Sequence, residues 1–228
     1  MIKQKEERRR VEMPIREASE PHVALSLLLD ASISMDGSPI KLLNSAVNQM
    51  IEDMKQDDRL RNIVDLAIFT FGEQGKQNIY QGFRSITDCE PISIQADDES
   101  TFISSALEQA VSFTKKRVSL YNQAGGAYKP WVVVITDGEF FDDDNKLYEI
   151  GSAIKELEQK GRLNFFALGV DGYDRKQLEM LTSHPARIIE AKSTNFVEFL
   201  SWIGKSMAAI SQKSPIDKVE LPPLKFEV

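Results

Sequence analysis

The sequence holds one cysteine, Cys89, and two histidines, His22 and His184, among 228 residues. That excludes an intramolecular disulfide framework, and a lone thiol fits a reducing compartment. A zinc site built from Cys and His lacks its ligands, and Cys89 reads as a small buried side chain rather than a nucleophile. No apolar run approaches the roughly 20 residues of a membrane-spanning helix. The N-terminus carries Lys3, Lys5 and Arg8 to Arg10 where a signal peptide would carry an apolar core. At a net charge of −7 the chain lacks the basic surface that nucleic-acid phosphates call for. These absences predict a cytoplasmic protein with neither a membrane nor a nucleic acid as partner. Catalytic signatures are missing as well. There is no Gly-x-x-x-x-Gly-Lys-Ser/Thr phosphate loop, no Gly-x-Ser-x-Gly nucleophile elbow, and no Gly-x-Gly-x-x-Gly in the first strand-to-helix turn.

What is present is the composition of a folded domain, 42% hydrophobic and 28% charged, of a length that suits one well-buried core. Residues 1–20 are strongly charged and are expected to form a solvated tail. Val23 to Leu29 is almost continuously apolar, as in a strand buried on both faces. Ser38-Pro39 then reads as an N-cap and first helical position. Ile40, Leu43, Val47, Met50, Ile51 and Met54 recur at helical spacing behind it. Ile63 to Phe71 is a second strand. Asn78 to Ile86 alternates as an edge strand antiparallel to it. Ser85 to Ser100 is polar and acidic and reads as a loop ending at Thr101, which opens the next helix. Trp131 to Ile135 is a buried strand ending in Thr136-Asp137-Gly138. Asp142 to Asp144 reads as a solvated helix start, followed by a helix stopped by Gly161. Leu163 to Val170 is a strand, Asp174 to Leu181 a short helix, and Arg187 to Glu190 a last short strand. Asn195 and Glu198 have capping-box spacing ahead of a final helix. Residues 213–228, with Pro215 and Pro222-Pro223, read as an extended tail. The expectation is therefore a domain over 21–212. Its fold class is α/β, a doubly wound, mostly parallel six-stranded sheet with one antiparallel edge strand.

The organising stretch is Asp30-Ala31-Ser32-Ile33-Ser34, at the carboxyl end of the first strand. Ligands bind at that end of an open parallel sheet. Three converging oxygens suit a hard divalent cation. The two most hydrophobic strands, ending at Asp30 and Asp137, are expected to be central neighbours, so that these two carboxylates meet across the crevice.

Asp30-x-Ser32-x-Ser34, then Thr101, then Asp137 within Thr136-Asp137-Gly138, resembles the metal-ion-dependent adhesion site of von Willebrand factor A domains, over roughly residues 22–211. The run Leu27 to Met35 and the single-domain layout are similar to bacterial A-domain proteins of the TerY type, linked to tellurite resistance, stress response and phage defence. The resemblance implies that Ser32, Ser34 and Thr101 bind Mg²⁺ directly, with Mn²⁺ and Ca²⁺ as alternatives. It implies that Asp30 and Asp137 act largely through water and by orienting the hydroxyls. It also implies that an Asp or Glu on a partner protein completes the cation's shell. The expected function is metal-dependent protein–protein interaction rather than catalysis. Two other classes stay open at this point. One is a metal-dependent hydrolase or phosphoryl-transfer enzyme, although haloacid-dehalogenase-type phosphatases need a second Asp where this chain has Ser32. The other is a structural subunit whose metal only stabilises the fold. Ile33 stands where the family often has Gly, and Asp36, Glu139 and Asp142 to Asp144 lie near the site in sequence.

Overall fold

A computed structural model of the chain describes residues 7, 10–15, 19–76, 78–170, 172–215, 217 and 219–226. Most of the charged stretch expected at the N-terminus, including Arg8, Arg9 and Glu17, lies outside the described residues. The strands are β1 (Val23–Asp30), β2 (Val64–Phe71), β3 (Ile79–Ser85), β4 (Trp131–Thr136), β5 (Asn164–Val170) and β6 (Ile188–Ala191). The α-helices are α1 (Ser38–Gln56), α2 (Leu60–Ile63), α3 (Ser104–Asn122), α4 (Asp144–Gln159), α5 (Arg175–Leu181) and α6 (Phe196–Ser211).

One six-stranded sheet runs in the order β3-β2-β1-β4-β5-β6. β2 and β3 pair antiparallel and every other pair is parallel. Strand order reverses between β1 and β4, which pair from Leu25↔Trp131 to Leu29↔Ile135. That is the crevice where ligands bind in doubly wound sheets. β1 is buried along its whole length because both its faces are covered. Leu25, Leu27 and Leu29 share a core with α1 (Leu43, Val47, Met50) and α6 (Phe199, Leu200, Ile203). Ala24 and Leu28 share the opposite core with α3 (Ala106, Leu107, Ala110) and α4 (Leu147, Ile150, Ile154). The hydroxyl of Ser26 meets that of Thr114 at 2.8 Å, so the one interior polar residue of β1 does not go unpaired. Among the described residues no helix is long and apolar enough to cross a membrane.

The elements depart from the sequence expectation at several ends. Ser38 is already helical; Gly37, at φ 82°, precedes α1 and no side chain caps it. Ile63 closes the one-turn helix α2 rather than opening β2. Asn195 makes no capping bond to α6; its Oδ1 accepts from the Lys192 amide instead, at 3.1 Å. Nor are the flanking segments free of the domain. Met13 N donates to Phe83 O at 2.7 Å, so this segment runs beside the sheet edge at β3 and covers backbone that would otherwise be open to pairing. At the other end Trp202 Nε1 donates to Pro222 O at 2.7 Å, and Leu221, Leu224 and Phe226 pack on the core beside α6.

Candidate metal centre

Asp30 is the last residue of β1 and is fully buried. Its Oδ1 accepts from the Ser32 amide at 2.9 Å and the Ser32 hydroxyl at 2.5 Å. Its Oδ2 accepts from the Thr136 hydroxyl, at the end of β4, at 2.6 Å. β1 and β4 are neighbours in register, so the sheet itself delivers the bond between loops 106 residues apart. Ser34 Oγ donates to Asp137 Oδ1 at 2.8 Å. Asp30, Ser32, Ser34 and Asp137 thus form one connected set.

Each serine hydroxyl has a single proton. Ser32 gives its proton to Asp30 and Ser34 gives its own to Asp137. Neither has one left for the 3.0 Å contact between the two oxygens. Their lone pairs stand against each other, an arrangement that a shared cation would turn from repulsive to attractive.

Thr101 does not open a helix, since α3 begins three residues later at Ser104. It sits in the loop between the Asp97–Asp98 turn and α3, and is almost fully buried. Phe141 N donates to Thr101 O at 2.9 Å. The Thr101 hydroxyl lies 3.7 Å from the point where a Cβ on Gly138 would stand. Thr101 is therefore held beside the Asp137–Gly138 corner, with its hydroxyl at ordinary van der Waals distance from that point.

The long polar loop that carries Thr101 is more ordered than its composition suggests. Asn44 and Asn48, one turn apart on α1, each exchange two bonds with it. Asn44 pairs with Ile94 N and O at 2.8 Å each, and Asn48 with Ile92 N at 2.7 Å and O at 3.0 Å. The side-chain amides act as a substitute strand edge, and Ile92, Ile94 and Ala96 fall alternately into the core. Asp98 then ties this loop to the first one. Asp98 N donates to Ala31 O at 3.2 Å, and Ile33 N donates to Asp98 O at 2.8 Å, so Ser32 is bracketed by both bonds. The Asp98 carboxylate accepts from Glu73 N at 3.1 Å and pairs with Lys76. Gly72 is needed here, because a Cβ would collide with Asp98 Oδ2. Sequence reasoning missed these supports. The one available signal was the Ile92-x-Ile94-x-Ala96 alternation, and nothing in the sequence ties it to Asn44 and Asn48.

Asp142 also departs from expectation. It is half-buried, and its two oxygens accept from Ile103 N at 2.7 Å and Ser104 N at 3.1 Å. It therefore caps α3 across the crevice, and Asp143 alone caps its own helix, accepting from Asn145 N at 2.9 Å.

Burial, as the largest cause, pushes the Asp30 carboxyl up to about 6; the Asp137 carboxylate adds to this, and the bonds from Ser32 and Thr136 oppose it. Among the described residues no Lys, Arg or His side chain forms an ion pair with Asp30. A buried carboxylate without a countercharge is costly, and a bound divalent ion would supply that charge. Among the described residues no group of three or more His, Cys, Asp or Glu side chains could hold a metal ion. The crevice gathers the side-chain oxygens of Asp30, Ser32, Ser34 and Asp137, with the Thr101 hydroxyl facing Gly138. Oxygen donors of this kind suit a divalent cation.

The family model of the von Willebrand factor type A domain matches residues 25–202. Among solved structures, the pilus adhesin SpaC from Lactobacillus rhamnosus GG superposes with a TM-score of 0.67 at 14% identity, over 87% of this chain and 32% of its own. Proximal thread matrix protein 1 from the mussel byssus gives 0.54 at 15% identity, over 82% of this chain and 46% of its own. A von Willebrand factor type A structure from Catenulispora acidiphila gives 0.54 at 14% identity, over 83% of this chain and 43% of its own. The chain thus spans less than half the length of each, and at these identities the likeness is one of fold. No curated protein matches the chain significantly.

Proposed function

Since the chain belongs to the von Willebrand factor type A domain family, we propose that its crevice holds Mg²⁺ and through it binds a carboxylate of a partner protein. Ser32, Ser34 and Thr101 would supply the hydroxyl oxygens. Asp30 and Asp137 would accept the hydroxyl protons and so turn the lone pairs toward the ion. When bound, the ion supplies a positive charge that neutral hydroxyls leave largely uncompensated, and hence an attraction for an outside Asp or Glu. The observation that carries this reading is the Ser32–Ser34 contact at 3.0 Å, with both protons already committed to carboxylates. Recognition is favoured over catalysis because the place two residues beyond Asp30, where a phosphatase would need its acid, holds a serine bonded back to Asp30.

We take 21–212 as the interaction domain, flanked by 1–20 and 213–228. We place it in the cytoplasm, in a bacterial stress-response, tellurite-resistance or phage-defence complex. That placement rests on the TerY-like run Leu27 to Met35 and on a single cysteine that is buried. Calorimetric titration of Mg²⁺, Mn²⁺ and Ca²⁺ into the wild type and into Asp30→Ala tests the site. Heats from the wild type that vanish in the variant are expected; identical heats would refute it.

A further inference from the structure

The protein atoms around the five oxygens carry two features that the metal alone does not account for. The first is apolar. Ile33, between the two serines, is 62% exposed, and Phe141 is 59% exposed. Phe141 lies edge-on to Phe102 with ring centroids 6.1 Å apart, and its amide is bonded to Thr101 O. Ile33 therefore borders the site on the serine side, and the Phe102–Phe141 pair borders it on the Thr101 side. Large apolar side chains left in water beside a polar site are characteristic of an interface.

The second feature is electrostatic. Asp36, Glu99 and Glu139 are all exposed, and each lies two residues from a site residue, Ser34, Thr101 and Asp137 respectively. No Lys, Arg or His occurs within two residues of any of the five positions, and Lys76, which the fold brings beside the Asp30 loop, is paired with Asp98 and Glu73. An acidic peptide drawn to the ion would meet repulsion from this rim, and like-charge juxtaposition is how a surface rejects wrong partners.

We propose that the partner presents a single carboxylate set among apolar side chains, on a surface that is otherwise basic. The carboxylate reaches the ion, the apolar neighbours pack on Ile33, Phe102 and Phe141, and the basic periphery pairs with Asp36, Glu99 and Glu139. This rests on the metal-mediated reading above and narrows it, since it rules out acidic segments as partners.

The test uses three synthetic peptides of equal length. One has a central glutamate between two leucines with lysines outside. The second has glutamates in place of those lysines. The third has glutamine at the centre of the first. Binding to the full chain is followed by fluorescence anisotropy in Mg²⁺ and in chelator. The lysine-flanked peptide is expected to bind only in Mg²⁺, about tenfold or more tighter than either other peptide. Raising salt should weaken it and strengthen the acidic one. Phe141→Ser and Ile33→Ser should each cost about tenfold in peptide affinity, as for apolar anchors at an interface, with calorimetric Mg²⁺ affinity unchanged. Mg²⁺-dependent binding indifferent to the flanks and to both variants would overturn this inference and leave the metal site standing. So would intact Mg²⁺ binding without any capture of the lysine-flanked peptide. An absence of Mg²⁺ heats from the wild type would instead remove the reading beneath it.

Discussion

Two buried aspartates sit on adjacent strands of this sheet, near its opposite ends. Asp65, second residue of β2, is 1% exposed, and Asp30, last residue of β1, is 0% exposed. Their surroundings differ above all in the countercharge. Asp65 Oδ2 accepts from Arg117 Nε at 2.9 Å and Nη2 at 2.6 Å, and from the Tyr121 hydroxyl at 2.6 Å. His22 stacks on Tyr121 at 5.2 Å, and Arg117 Nη1 reaches Met13 O at 2.6 Å. Arg117 thus neutralises Asp65 within the chain, although the buried Asp65 Oδ1 accepts no hydrogen bond among the described residues, and the cluster joins the N-terminal segment, β2 and α3. Asp30 receives comparable hydrogen bonds from hydroxyls and an amide, yet no ion pair to it occurs among the described residues. A charge neutralised from within the chain holds the fold together. A charge left without a partner in the chain is what the proposed ion would neutralise.

The largest effect should come from breaking the Asp65–Arg117 cluster. Arg117→Met leaves the Asp65 carboxylate buried and unpaired, and urea unfolding should show a loss of about 3–5 kcal/mol. The variant that remains folded should keep the wild-type divalent affinity, because the two clusters occupy opposite ends of the strands. A drop in divalent affinity matching the drop in stability would erase the contrast between the two sites.

Asp30→Asn inverts that outcome. It removes the uncompensated charge while keeping the shape, so the metal-free melting temperature should hold or rise. In the wild type, Mg²⁺ at a hundredfold excess over Kd should add about 2.7 kcal/mol of stability. The variant should gain nothing from Mg²⁺, as read from melting curves with and without chelator. A smaller change sharpens the assignment of Thr101. Thr101→Val keeps the buried methyl and deletes the oxygen, and calorimetry should find divalent affinity lower by about tenfold, or about 1.4 kcal/mol. Unchanged affinity would take Thr101 out of the donor set.

The smallest expected effect is at Cys89. Burial pushes its thiol up to about 12, with the Gln81 amide opposing at 3.3 Å. The group should stay protonated across the neutral range and react with Ellman's reagent only when the chain unfolds, with or without Mg²⁺. Fast labelling of the native protein would show an open thiol instead.

The alternation of strands and helices was legible in the sequence because each element carries its own period. β1 and β4 are unbroken apolar runs buried throughout, and α1 shows its inward stripe from Ile40 to Met54. The pairing of β1 with β4 was legible too, since the two most apolar strands occupy the middle of a sheet covered on both faces. Element ends were less so. Ser38-Pro39 has the composition of a helix start, yet the helix begins behind Gly37, whose positive φ makes the turn. Asp142 reads as part of a solvated helix start and instead caps a different helix, because the crevice brings Ile103 and Ser104 within reach.

The amino-acid order names the residues proposed to hold a cation, Asp30, Ser32, Ser34, Thr101 and Asp137, and puts a strand's end beneath the first and the fourth strand's end beneath the last. Their spacing in the chain says nothing of how they approach one another. It takes the folded chain to bring Ser34 to Asp137, to hold the Thr101 loop with Asp98 and two asparagines of α1, and to give Asp65 a cation that Asp30 does not have among the described residues. Periodicity reports which face of an element is buried, whereas charge compensation depends on side chains brought together from elements far apart in sequence.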